Sequence, residues 1–481
     1  MTFEIKNICC IGAGYVGGPT MSVLADKCPE IQINVVDLNA SRIEEWNSDD
    51  LSKLPIYEPG LKEIVGRCRG KNLHFTSEVN KKISIADMIF ISVNTPTKTS
   101  GIGAGQASDL KWVESCARQI SEYAKGHTIV VEKSTLPVRT GEVIKAILES
   151  SKYSLNSKNK ITFDILSNPE FLAEGTAIND LENPDRVLIG GSNENAIKAL
   201  HDLYKRWVNE DKIIHTNLWS SELAKLTANA FLAQRVSSIN SISALCEVTG
   251  ADVREVSRAI GKDSRIGSKF LNVGPGFGGS CFKKDILNLV YLANHFGLPQ
   301  VADFWESVVH LNSWNQNRLT SIILEKLFGT LTEKKIGILG FSFKANTNDT
   351  RESPAIQICK NLLNEGAYLK IHDPKVSKEQ IALDLGTPPI EDLKKNEELI
   401  KKYQNKKWEN SLLNNDFFDN LDAVIVLTEW NVYSNIDWEI VSKKMRCPGW
   451  VFDSRLIVDE KRVKSSGLSF WRVGVGTVRR N

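Results

Sequence analysis

The sequence predicts an α/β protein: two Rossmann-like parallel-sheet domains joined by a long central helix and a mostly helical middle domain. Three stretches carry this expectation. IKNICCIGAGYVGGPTMSVLADKCPEIQINVVDLN reads as strand, glycine turn, helix and a second strand ending in Asp37. KKIGILGFSFKANTNDTRESPAIQICKNLLNEGAYLKIHDP repeats that plan and ends its second strand in Asp373. Between them, SSELAKLTANAFLAQRVSSINSISALCEVTG spaces Leu223, Leu226, Ala230, Val236 and Leu245 as one helix does, with Gly250 as its stop.

After the opening unit, the short apolar runs MIFISV, TIVVEKS and FDILSN alternate with helical stretches rich in Glu, Lys and Ala. Such alternation argues for parallel strands with helices on both faces. The expected domains are residues 1–219, 220–332 and 333–481. In the second repeat Gly340 stands without later glycines, so that unit is expected to hold its ligand differently. The charged stretch IEDLKKNEELIKKYQNKKWENS reads as a solvated surface helix or insertion.

Composition narrows the function. The chain has 481 residues, too many for one ordinary domain. Its net charge of +2, from 60 basic and 58 acidic residues, gives no broad basic field for nucleic acid. The opening MTFEIKNICCIGAG has no long apolar region with a small-residue cleavage site, so no signal peptide is expected, and no run of about 18 apolar residues is present that would span a membrane. The nine cysteines are scattered without CxxC pairs or a His/Cys cluster. That argues against a disulfide framework or metal site and fits a reducing, cytoplasmic compartment.

Gly12-Ala13-Gly14-Tyr15-Val16-Gly17 is a GxGxxG turn that follows a strand, Ile8 to Ile11, and opens a helix. In that context it binds a dinucleotide: tight turn at Gly12, pyrophosphate approach at Gly14, helix–strand packing at Gly17. Asp37 comes twenty residues after Gly17 and favours NAD over NADP by accepting from the ribose. Arg42 qualifies this, since it could serve a 2′-phosphate, stack on adenine or simply lie exposed.

GFGGSCFKKD, Gly276 to Asp285, sets Cys281 between backbone room and two lysines, Lys283 and Lys284. That is a setting for a reactive thiol rather than a packed one. No histidine sits in a motif-like setting, so a base is sought among Lys, Asp, Glu and Cys. Lys225 and Asn229 share a helix face, Asp285 lies four after Cys281, and Ser167-Asn168-Pro169-Glu170 ends a strand. Taken singly, each has an ordinary structural reading.

Together these stretches resemble the UDP-glucose/GDP-mannose dehydrogenase family, in its animal-type UDP-glucose 6-dehydrogenase branch. LPIYEPGLKE, FISVNTPTKT, EKSTLPVR, LSNPEFLAEGTAI, NPDRVLIGG, SSELAKLTANAFLAQR, GFGGSCFKKD, GFSFKANTNDTRES and DPKV carry the resemblance over nearly the whole chain. It implies NAD-dependent oxidation of a nucleotide-sugar alcohol to a carboxylate.

By resemblance, Cys281 is the nucleophile, Lys225 steadies negative charge, Asp285 holds water or accepts protons, Thr135 orients that water and Glu170 assists hydrolysis. Asn229, Phe171, Leu172, Glu174, Phe277, Gly278, Phe343, Lys344 and Arg455 join Glu170 and Lys225 on the substrate. Val93, Asn94, Thr95, Pro96, Thr97, Ser134, Thr135, Glu174, Lys284 and Arg351 join the glycine turn, Asp37 and Arg42 on NAD. Arg265 reaches a neighbouring subunit's substrate site, implying a homodimer at least, with a hexamer of three dimers as the larger alternative. Asn272 departs from the family, which carries a lysine after KFL, as do the short tail and the charged stretch Lys394 to Glu409. A sister enzyme on another sugar nucleotide such as GDP-mannose, a catalytically silent NAD-binding protein and a one-step β-hydroxyacid dehydrogenase are the rivals. The silent protein should have lost Cys281, Lys225 or Asp285, and the one-step enzyme needs no cysteine.

Overall fold

The computed structural model describes residues 3–150, 161–393, 403 and 407–476. Most of the charged stretch singled out above, and the last residues of the tail, lie outside these. The chain forms two compact units, residues 1–228 with 287–299, and residues 229–286 with 300–481.

The first unit is built on an eight-stranded sheet. Its strands are β1 (Asn7–Ile11), β2 (Gln32–Val36), β3 (Leu73–Thr76), β4 (Met88–Ile91), β5 (His127–Glu132), β6 (Thr162–Ser167), β7 (Val187–Gly191) and β8 (Ile213–Thr216). Their order is β3-β2-β1-β4-β5-β6-β7-β8. The first six follow the 3-2-1-4-5-6 order of a dinucleotide-binding sheet, and all their pairings are parallel. β7 departs from the parallel expectation: it pairs antiparallel to β6, Leu166 opposite Gly191. The short helix Ala177–Glu182 between β6 and β7 brings the chain back in the opposite sense instead of making a crossover. Near-continuous apolar strands such as MIFI are buried on both faces.

The second unit repeats the plan in six strands: β9 (Lys335–Leu339), β10 (Tyr368–His372), β11 (Lys407–Asn410), β12 (Ala423–Val426), β13 (Trp450–Asp453) and β14 (Ser469–Arg472). Their order, β11-β10-β9-β12-β13-β14, is again 3-2-1-4-5-6, and every pairing is parallel. The first six strands of the first sheet thus share one topology with the second sheet, although only the first carries GxGxxG. Asp37 and Asp373 also share a task. Asp37 accepts the N–H groups of Ala13 and Asn39; Asp373 accepts those of Phe341 and Lys375. Asp373 additionally takes Ser342 N–H and Oγ and the Trp430 indole, so it locks its turn from within.

The long helix runs Leu218–Thr249, and Gly250 ends it at φ +83°. Leu226 and Ala230 are buried, Val236 is half-buried, and Leu223 and Leu245 are exposed. The helical spacing is therefore right, but not all its apolar residues face a core. Among the described residues no helix is long and apolar enough to cross a membrane.

Candidate active site

The glycine turn is shaped by what surrounds it. Gly12 has φ +111°, and a Cβ there would lie 2.3 Å from the Ser92 carbonyl oxygen. A Cβ on Gly17 would lie 2.0 Å from the Gly12 carbonyl oxygen. Gly14 has nothing within 4 Å of its Cβ position. Two glycines are thus required by the protein's own packing, and the third leaves open space at the start of the helix Gly17–Lys27. That is where a pyrophosphate meets unpaired N–H groups, so the turn fits NAD. Arg42 lies 3.6 Å from Asp37, which occupies the arginine with a carboxylate. Tyr15 and Val16 are half-buried beside the turn.

The loops after β4 and β5 are tied together. Ser134 Oγ donates to the Val93 carbonyl at 2.7 Å, and Thr95 Oγ1 to the Thr135 carbonyl at 3.1 Å. The Pro96 carbonyl accepts Asp109 N–H, and Thr97 bridges to Ser108. Asn94 is exposed.

At the ends of β5 and β6 sits a buried ionic cluster. Lys133 Nζ lies 2.8 Å from Glu170 Oε2 and donates to Asn168 Oδ1 and Tyr204 Oη. Glu170 Oε1 accepts the N–H groups of Phe171 and Leu172. Burial alone would raise the Glu170 carboxyl, but the Lys133 ammonium and these N–H groups outweigh it and hold it below the ordinary glutamate range. Burial would lower Lys133, but Glu170 and Tyr204 raise it to about 12. Beside this cluster, Lys225 Nζ lies 5.1 Å and the Arg186 guanidinium 3.8 Å from the centre of the Phe171 ring. Lys225 is buried, and Glu174 is half-buried.

In the second unit, Asn229 Nδ2 donates to Asp285 Oδ2 at 2.6 Å, and both side chains are buried. Asn229 stands one turn beyond Lys225 on the long helix. Cys281 is exposed and immediately precedes the helix Phe282–His295; its carbonyl accepts Asp285 N–H at 2.8 Å. The thiol and Asp285 therefore belong to one first turn. Seven of the other cysteines are buried; Cys447 is the other exposed one. Ser280 Oγ is 3.4 Å from the sulfur. Lys283 pairs with Glu352 at 2.9 Å, and Lys284 lies 3.8 Å from Asp285.

The turn before Cys281 is fixed on both sides. Phe277 N–H donates to Asn312 Oδ1, and Gly279 N–H to the Arg351 carbonyl. A Cβ on Gly278 would lie 2.5 Å from the Glu352 carbonyl oxygen and 2.9 Å from Phe343 Cβ. Arg455 donates to the carbonyls of Leu427 and Phe343 and pairs with Glu429 at 3.1 Å. Lys344 Nζ is 5.5 Å from the Phe343 ring centre. Arg351 is held by Asp349 at 2.6 Å, and Arg265 by Asp263 at 2.6 Å with its side chain largely exposed.

Lys133, Arg186 and Tyr204 escaped the sequence reading. Lys133 had a signal, a lysine directly after the apolar run TIVVE and before Ser134. Tyr204 had none, being one aromatic on an amphipathic helix. Among the described residues no group of three or more His, Cys, Asp or Glu side chains could hold a metal ion.

Three models of one family match the chain in sequence: the UDP-glucose/GDP-mannose dehydrogenase family NAD binding domain over residues 6–208, its central domain over 219–314 and its UDP binding domain over 337–460. UDP-glucose 6-dehydrogenase of Gallus gallus is 54% identical over 95% of this chain and 90% of its own. That of Bos taurus is 54% identical with the same coverage. A UDP-glucose dehydrogenase structure from Pyrobaculum islandicum superposes with TM-score 0.81 at 28% identity, over 99% of both chains. With a dinucleotide turn that fits NAD and family models over most of its length, the chain belongs to the UDP-glucose/GDP-mannose dehydrogenase family and is an NAD-dependent oxidoreductase.

Proposed function

We propose that this enzyme oxidises UDP-glucose to UDP-glucuronate in two steps at one carbon, through a thiohemiacetal and a thioester on Cys281. The observation that carries the reading is the pairing of an exposed thiol with a buried Asn229–Asp285 hydrogen bond at the first turn of the helix Phe282–His295. The names of the curated relatives, over nearly the whole chain, support UDP-glucose as the sugar nucleotide.

NAD, when bound at the glycine turn, supplies the hydride acceptor for both oxidations. The chain's own residues do the rest. The Lys225 ammonium steadies negative charge on the reacting oxygen in a buried setting, where such charge is worth most. Asp285, held by Asn229, accepts the hydroxyl proton directly or through water. Cys281 adds its sulfur to the aldehyde carbon, so the aldehyde cannot escape before the second oxidation. Water then cleaves the C–S bond, returning the thiol and leaving the carboxylate. Glu170, with its carboxyl held ionised by Lys133, is a weak proton acceptor. Its part is to assist hydrolysis by orienting the attacking water together with Thr135.

Residues 1–219 serve NAD, 220–332 assembly and 333–481 the nucleotide of the substrate. Phe231, Leu245, Val248, Val301 and Phe304 are exposed on the helices Leu218–Thr249 and Pro299–Lys326. Apolar surface of this kind favours covering by a second copy, and Arg265, exposed although held by Asp263, is assigned a role across that interface. The compartment consistent with free thiols is the cytoplasm.

The test is a count of NADH formed per sugar nucleotide consumed, with UDP-glucose and GDP-mannose offered separately. Two NADH per UDP-glucose, with little turnover of GDP-mannose, is expected. One NADH per sugar, or a preference for GDP-mannose, contradicts the reading.

A further inference from the structure

Glu132 and Glu222 form a second acidic arrangement, to which the sequence reading gave no role. Glu132 is the last residue of β5 and is 1% exposed; Glu222 is 3% exposed on the long helix, one turn before Lys225. Glu222 Oε2 accepts Arg139 N–H at 2.7 Å, and Oε1 accepts Gly141 N–H at 2.9 Å. It thereby caps the helix Thr140–Glu149, whose preceding residue, Arg139, has no cap of its own and sits at φ +77°. Glu132 is different. Neither of its oxygens meets a hydrogen-bond donor among the described residues. A buried carboxylate in that condition does not stay ionised.

We propose that Glu132 is a protonated carboxylic acid that donates its proton to the Glu222 carboxylate, and that this shared-proton pair positions the Lys225 turn of the long helix against the loop carrying Lys133, Ser134 and Thr135. The division of labour follows from the partners. Glu222 already accepts two backbone N–H groups, which favour its charge. Glu132 has only Glu222 to face. Burial and the Glu222 charge raise Glu132 well above the ordinary glutamate range, while the two N–H groups restrain the rise at Glu222. The space is tight: a Cβ on Gly141 would lie 2.5 Å from Leu218 Cδ2 and 3.3 Å from Glu132 Oε1. The charged groups around the pair are few. Arg139 and Glu142 are paired with each other at 2.9 Å, and Lys133 is engaged by Glu170.

The pair joins two elements that carry proposed reaction residues, so it is a positioning device and touches no substrate. Its proton has a sign. Glu132 binds a proton in the folded protein at pH values where the unfolded chain has lost it, so its contribution falls as pH rises from the ordinary glutamate range toward the raised value. A glutamine at Glu132 supplies a permanent donor and removes that dependence.

The experiment compares Glu132→Gln, Glu132→Ala and Glu222→Gln in the full chain with NAD and UDP-glucose. Glu132→Gln is expected to keep kcat and KM within about twofold. Its melting temperature should gain on the parent as pH rises, and it should lose the infrared band of an un-ionised carboxyl. Glu132→Ala is expected to lose kcat at least tenfold while NAD affinity, measured by calorimetry, stays near the parent. Glu222→Gln is expected to be damaged even where Glu132→Gln is not, because Arg139 and Gly141 each use a separate Glu222 oxygen and glutamine replaces one of them with an NH2 donor. Equal loss of kcat in Glu132→Gln and Glu132→Ala overturns the proposal, as does an unchanged infrared band in Glu132→Gln. Glu132→Gln alone decides the matter should the other two fail to fold.

Discussion

Lys133 Nζ and Glu170 Oε2 lie 2.8 Å apart in the first unit, with the lysine 3% and the glutamate 12% exposed. Removing one partner of such a pair strands a buried charge. Lys133→Met is expected to destabilise the protein by about 3–5 kcal/mol, read from urea unfolding. Because Glu170 is depressed, its contribution is present above the ordinary glutamate pKa and disappears as pH falls through the lower folded value. Because Lys133 is raised, its contribution is lost only as pH climbs through about 12. Stability attributable to the pair should therefore hold at neutral pH and fail in acid. A Lys133→Met protein as stable as its parent at neutral pH would refute this.

The glycine turn separates folding from cofactor binding. Gly12→Ala puts a Cβ into the Ser92 carbonyl and should give a poorly folded protein. Gly14→Ala meets nothing and should melt with the parent, yet bind NAD at least ~10-fold more weakly, a cost of ~1.4 kcal/mol. Calorimetric titration showing parental NAD affinity in Gly14→Ala would remove the turn from the cofactor site.

Asp37 carries the choice between cofactors. It holds Ala13 and Asn39 by their N–H groups and has Arg42 nearby. Its charge opposes a 2′-phosphate. Efficiency with NAD should far exceed that with NADP, and Asp37→Ala should narrow the gap by freeing Arg42. Equal kcat/KM with both cofactors in the parent enzyme would contradict the assignment.

Arg265 tests assembly. Its side chain is exposed and bound by Asp263 within one chain. If it serves a neighbour's substrate, Arg265→Ala should raise the KM for UDP-glucose several-fold and leave NAD binding alone. Light scattering that finds a fully active monomer would dismiss the role.

Much of this was legible in the sequence because it depends on local pattern. GxGxxG after ICCI, the twenty-residue step to Asp37 and the repeat of that plan around Asp373 fix both sheets' first strands, and the long helix announces itself by apolar spacing. What was not legible depends on tertiary neighbours. β7 reverses direction without a distinctive residue to mark it. Lys133 and Glu170 are thirty-seven residues apart and meet only when β5 and β6 pair. Glu132 and Glu222 each read as an ordinary charged residue, one at the end of an apolar strand and one on a helix. The exposure of Leu223 and Leu245 likewise follows from which helix face the chain leaves uncovered.

The central claim is the covalent passage through Cys281, and trapping it tests that claim most directly. Glu170→Gln, mixed with UDP-glucose and NAD and quenched in acid, should carry the mass of the sugar-nucleotide acyl group on the peptide containing Cys281, because hydrolysis is slowed. Cys281→Ala, treated alike, should carry none and should form no UDP-glucuronate at a useful rate. An unmodified Cys281 peptide in Glu170→Gln, together with near-normal production of two NADH per UDP-glucose by Cys281→Ala, would contradict the account.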